Sequence, residues 1–255
     1  NRYGGQVAAI VLTHPHEDHY AGVVDLIDEH PSAKLGCVHP QDRDVAPGFP
    51  VDGIMALKEG AKPTYTRIWD EWEKDLSRRW RTFRHEGISV DEATITSLHP
   101  STLASRNHWN DSRSNEISSA MLVEWHELRL LLGADVPNTQ WPDIAAAFAG
   151  LNNHTALKVP HHGSREAIHH LLGDGDAART WIITPFRRQR LPRANNRASN
   201  GEREGLARCL SFVSEVRLTA FPFRHDSEHE APCVTSRPQI RDNDHPRRVS
   251  IGSEN

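Results

Sequence analysis

No apolar run in the 255 residues comes near 18 residues, the length a helix needs to cross a bilayer, so no membrane span is expected. Cysteine is scarce: Cys37, Cys209 and Cys233 are far apart, odd in number and form no C-x-x-C pair. That excludes a disulfide framework and a cysteine zinc site, and fits a reducing, cytoplasmic setting. No secretory leader is recognisable. An excess of one charge sign is also missing. With 30 Lys and Arg against 34 Asp and Glu, the formal charge is −4, so bulk charge gives no reason to expect nucleic-acid or membrane binding. Hydrophobic residues make up only 37% and mean hydropathy is −0.62. From Arg224 onward, charged residues, His and Pro dominate without apolar periodicity. Residues 224–255 are therefore expected to be a poorly ordered tail, and residues 1–223 one α/β domain.

What the chain does have is histidine, 17 in all, and alternating strand and helix patterns. Val7–Leu12 is an apolar, β-branched run of strand length, and Ala21–Glu29 carries apolar residues at helical spacing until Pro31 stops it. Lys34–Val38 reads as a strand and Thr66–Phe83 as an amphipathic helix containing Trp69, Trp72 and Trp80. Ile88–Leu98 reads as a strand or hairpin, and Ile117–Trp125 with Leu128–Gly133 as a strand pair. Asp143–Phe148 is expected to be helical, Ala156–Val159 strand, Arg165–Leu172 helix, Trp181–Thr184 strand, Glu202–Val213 helix and Val216–Ala220 strand. This alternation argues for sheets covered by helices. The three tryptophans sit at helical spacing, which makes them core anchors rather than base-stacking platforms.

The segment Thr13–Gly22, THPHEDHYAG, places three imidazoles and a carboxylate within six residues, directly after an apolar strand. In an extended loop, residues two apart point the same way, so His14 and His16 can converge on one ion. Asp18 and His19, on the following turn, can reach a second. Imidazole with carboxylate suits zinc, manganese or iron.

The HPHEDHYAG string resembles the signature loop of the metallo-β-lactamase superfamily. Leu130–Asp135 (LLLGAD), Leu157–Ser164 (LKVPHHGS) and Asn115–Ser119 (NEISS) narrow the resemblance to the ComEC type found in bacterial DNA-uptake proteins and their free-standing relatives. It covers roughly Val7 to Val216. The resemblance implies an α/β fold of the metallo-β-lactamase-type αββα sandwich, here without its usual strands ahead of the His loop. It also implies two divalent ions, zinc or manganese: His14 and His16 on the first, Asp18 and His19 on the second, and Asp135 bridging both. His161 or His162 would supply a further second-metal ligand, with a lean to His161, while the other contacts substrate or moves a proton. Where many members carry a third first-metal histidine, Asn115 stands by register; His99 and His108 are weaker substitutes. The implied reaction is hydrolysis by a metal-bridging hydroxide oriented by Asp18, on a phosphodiester such as DNA or RNA. Gly163–Ser164 would open a helix able to hold a phosphate, and Arg187 and Arg188 in the basic stretch Arg187–Arg197 would guide a backbone; Arg78–Arg84 reads more as a solvated charged face. Hydrolysis of a small ester, thioester or lactam, and a non-catalytic module of a larger assembly, are the competing readings.

Overall fold

A computed structural model describes residues 6–14, 16–37, 62–82, 85–101, 104, 114–173, 179–186, 191–192, 205–213, 215–219 and 247–249. The chain divides into two compact units, Asn1–His126 and Glu127–Asn255. Both mix strands with helices, as the alternating pattern requires.

In the first unit, β1 (Ala9–Val11), β2 (Lys34–Cys37) and β3 (Arg79–Arg81) form a parallel sheet in the order β1-β2-β3. The Glu17–Tyr20 turn of helix, α1, and the helix α2 (Val23–Glu29) connect β1 to β2, and α3 (Lys62–Lys74) precedes β3. Ile10, Leu12 and Leu35 of the sheet side pack with Val23 and Ile27 of α2 and with Tyr65, Ile68, Trp69 and Trp72 of α3. Burying aromatics of this size dominates the energetics of a small core. An antiparallel meander, β4 (Gly87–Val90), β5 (Ala93–Ser97) and β6 (Met121–Trp125), completes the unit.

The helix expected over Thr66–Phe83 ends at Lys74 instead. Asp75 turns its carboxylate onto the Ser77 N–H at 2.8 Å and starts a 3-10 turn over Leu76–Arg78, after which the chain enters β3. A short side-chain acceptor that competes for backbone donors is a common reason for a helix to stop. Trp80 is thus a buried strand residue, its Nε1–H donating to the Glu86 carbonyl at 3.0 Å. The neighbouring arginines are packed rather than offered to solvent. Arg78 is buried, donating to the Ala33 carbonyl and to Glu71, while Arg79 donates to the Trp72 carbonyl and lies over its ring.

In the second unit, β7 (Leu128–Leu132), β8 (Ala156–Lys158), β9 (Thr180–Ile183) and β10 (Glu215–Leu218) are parallel, and β11 (Arg247–Val249) adds an antiparallel edge. Leu131, Leu157, Trp181 and Ile183 are fully buried, as continuous apolar runs in parallel strands should be. Among its described residues the α-helices are α4 (Trp141–Ala147) and α5 (Gly205–Leu210). β11 lies inside 224–255, so that stretch holds at least one paired strand. The helix expected over Arg165–Leu172 is instead two three-residue turns, Arg165–Ala167 and His170–Leu172, joined by extended Ile168 and His169. His169 Nδ1 accepts the Leu171 N–H at 3.2 Å, a side-chain acceptor that starts the second turn, and Ala167, Ile168 and Leu172 are buried. Among the described residues, no helix is long and apolar enough to cross a membrane.

Candidate metal centre

The His-rich loop begins where β1 ends. The Leu12 N–H still bonds the Gly36 carbonyl, and then His16 N–H folds back onto the His14 carbonyl at 3.0 Å. His16 holds the N-cap position of α1 but makes no side-chain cap, so its ring is committed elsewhere. It meets fully buried His14: His14 Nε2 and His16 Nδ1 are 2.9 Å apart, with the rings edge to face. One turn on, His19 Nε2 lies 3.6 Å from Asp18 Oδ2, and the His14 and His19 ring centres are 4.1 Å apart. In each pair, His14 with His16 and Asp18 with His19, one ligand-type atom lies within 4.8 Å of its partner's. Coordination to one zinc brings two imidazole nitrogens to similar separations, since each Zn–N bond is about 2.0–2.1 Å. The donor set and its spacing therefore fit a divalent metal. The loop brings together all four of its expected ligands.

Residues outside the ligand motif hold these rings in place. The Thr13 hydroxyl lies 3.2 Å from His14 Nδ1 and 3.0 Å from His19 Nδ1. Ser118 Oγ, from the NEISS segment, lies 3.2 Å from His14 Nδ1, and Ser119 N–H donates to the Thr13 carbonyl at 3.1 Å. His99 is buried and donates from Nδ1 to the Ser118 carbonyl at 2.6 Å, so it braces the NEISS segment. The sequence signal for these contacts is adjacency: Thr13 precedes the first ligand, and Ser118 sits inside NEISS. Asn115 lies in the 3-10 turn Ser114–Ile117, and its Oδ1 is a buried acceptor with no hydrogen-bond partner among the described residues. An amide oxygen in that condition suits an electropositive partner.

In the second unit, β7 runs into Gly133–Ala134–Asp135, and the Asp135 side chain is buried. Gly133 N–H bonds the Lys158 carbonyl and His161 N–H bonds the Ala134 carbonyl at 2.8 Å, locking the twin-histidine turn to the Asp135 turn. His161 Nε2 is 3.8 Å from Asp135 Oδ2. His162 turns elsewhere: its Nδ1 lies 2.8 Å from the Thr184 carbonyl, and its ring stacks on Phe186. A carbonyl only accepts, so Nδ1 carries a proton and Nε2 is the nitrogen left to face a metal. That second-sphere anchor is the one metal-bound histidines use. Lys158 is a mostly buried cation beside this turn; burial pushes its ammonium pKa down, and the Asp135 carboxylate opposes the shift.

Ala134, His161 and His162 all have left-handed backbones, with φ of 43°, 44° and 56°. Each such residue costs about 1–3 kcal/mol and persists where the surroundings over-determine it, as at functional sites. Gly133 is required by close approach. A Cβ there would sit 2.5 Å from Pro160 Cγ and 3.0 Å from the Lys158 carbonyl. Gly133→Ala is expected to destabilise by roughly 1–3 kcal/mol, the usual range for overpacking. Lowered denaturation midpoints in urea check this.

One expectation changes here. Ser164 precedes a three-residue turn, not a helix, and makes no side-chain cap bond. So short a turn carries no helix dipole to hold a phosphate. Arg187 and Arg188 lie outside the described residues, as does His108.

Residues 4–105 match the family model of the metallo-beta-lactamase superfamily. The match takes in the whole His-rich loop, the mixed α/β architecture fits that fold, and the superfamily points to a metal-dependent hydrolase. No curated protein matches the chain. A solved mutant of CmlA beta-hydroxylase is similar at 17% identity and a TM-score of 0.37, over 68% of this chain and 28% of that one. The chain thus spans under a third of that protein, and a likeness so slight bears on neither fold nor activity. The narrower ComEC-type resemblance rests on the motifs LLLGAD, LKVPHHGS and NEISS alone.

Proposed function

We propose that the chain is a metal-dependent phosphodiesterase of the ComEC type, acting on nucleic acid or another phosphodiester, with residues 1–223 as its working domain. The observation that carries this reading is the 2.9 Å approach of His14 Nε2 to His16 Nδ1 within the stretch the superfamily model matches. His14 and His16 hold the first of two divalent ions, zinc or manganese, with Asp18 and His19 on the second and Asp135 serving both. The ions supply Lewis acidity and lower the pKa of water toward neutrality when bound.

The side chains divide the remaining work. His162, anchored through Nδ1 to the Thr184 carbonyl, is the better prepared ligand of the twin pair. That reverses the lean toward His161, which, close to Asp135, takes the role facing substrate and its leaving oxygen. Asp18, toward solvent, orients the attacking water, while Asn115 contributes its amide oxygen on the first-metal side. Lys158 offsets the carboxylate charge of Asp135. Arg187 and Arg188 guide the phosphate backbone.

The test is elemental analysis of the purified protein, paired with turnover of bis(p-nitrophenyl) phosphate and of a carboxylic ester. Two equivalents of divalent metal and phosphodiester turnover that disappears in Asp135→Ala are expected. Turnover confined to the carboxylic ester would replace this reading with a small-ester hydrolase. A metal-free, inert protein would leave a non-catalytic module.

A further inference from the structure

Thr13 lies just before the first ligand, and its single hydroxyl touches two rings at once. Its Oγ1 is 3.2 Å from His14 Nδ1 and 3.0 Å from His19 Nδ1. These rings belong, in the function proposed above, to different ions. A hydroxyl has one proton to donate and two lone pairs to receive with. It can donate to only one of the imidazoles, so the other must be the donor, with its Nδ1 protonated. For both rings to offer Nε2 to a metal as neutral imidazoles, both must carry the proton on Nδ1 and Thr13 must accept from both. The opposite nitrogens face the other expected ligands of the loop. His14 Nε2 points at His16 Nδ1, and His19 Nε2 points at Asp18 Oδ2. Ser118 Oγ gives His14 a second oxygen on the Nδ1 side, whereas His19 Nδ1 faces the Thr13 hydroxyl.

We infer that Thr13 is the positioning residue shared by the two metal subsites: its hydroxyl accepts from Nδ1 of both His14 and His19 and so presents both Nε2 atoms. The inference rests on the proposed metal-dependent function, because in the metal-free chain the Asp18 carboxylate beside His19 Nε2 competes for the ring proton. Second-sphere groups of this kind typically change metal affinity 10–100-fold when removed.

Two measurements on the full chain test it. Long-range nitrogen–proton correlation spectra of the zinc-loaded protein are expected to show Nδ1–H on both His14 and His19. In chelator competition, Thr13→Val is expected to weaken zinc binding about 10–100-fold, with Thr13→Ser within about threefold of the parent. A zinc-loaded parent in which either ring lacks the Nδ1 proton would overturn the inference, as would unchanged zinc affinity in Thr13→Val. If Thr13→Val fails to fold, the spectra of the zinc-loaded parent still decide the question. A parent that binds no zinc overturns the proposed function and this inference with it, whereas a zinc-binding parent with an indifferent Thr13→Val overturns this inference alone.

Discussion

Replacing His14 by alanine is expected to lower phosphodiester turnover on the order of a thousandfold or more, equivalent to about 4 kcal/mol of transition-state stabilisation. The side chain is fully buried, touches His16 through Nε2 and is braced on the other side by Thr13 and Ser118. No second imidazole in the loop can take its place, because His16 and His19 already have their own positions. Bound metal should fall by at least one equivalent in elemental analysis, while far-ultraviolet circular dichroism stays near that of the parent. His16→Ala should behave alike, and His30→Ala, at the far end of α2, should not. A His14→Ala protein with full metal content and full turnover would remove the basis of the functional reading.

Acid stability should be governed to a large extent by His154. It is buried, its Nδ1–H donates to the Leu151 carbonyl at 2.9 Å, and Arg179 and Arg129 are near enough to repel a protonated ring. Burial first, then those guanidiniums, hold its pKa down at about 4, against an ordinary value of 6.5. The unfolded chain therefore binds a proton between pH 6.5 and 4 that the folded chain refuses. Stability is fully present above pH 6.5 and declines as pH falls, by as much as about 3 kcal/mol near pH 4. Urea unfolding at pH 7 and pH 4.5 measures the loss. His154→Gln is expected to flatten the slope while carboxylate contributions common to both proteins cancel in the comparison. Parallel slopes for parent and variant would show that His154 is not the group responsible.

The loop at Thr13–Gly22 was legible because its chemistry is compressed into a few consecutive residues and its strand is a plain apolar run. The Asp135 turn and the twin-histidine turn were each legible as the end of an apolar strand, but the hydrogen bond that joins them, His161 N–H to the Ala134 carbonyl, was not. Misread segments share a different property: each contains a side-chain acceptor that bonds a nearby backbone N–H and starts a new turn. Asp75 ends a helix that the spacing of Trp80 and its neighbours would continue, and Trp80 becomes a strand residue. Ile168 and His169 open one expected helix into two turns, removing the phosphate cradle assigned to Ser164. The roles of Thr13, Ser118 and His99 are three-dimensional from the start. The residue joining Ser118 to the loop stands 104 positions upstream, a pairing no local pattern reports.

The left-handed backbones at Ala134, His161 and His162 constrain which descendants of this chain can exist. Glycine, asparagine and aspartate tolerate that conformation, whereas valine, isoleucine and threonine are excluded by their branched Cβ. A deep mutational library at these three positions should therefore be filtered first by shape and only then by chemistry. Survivors such as His161→Asn would separate the two filters, retaining the bend while losing the imidazole.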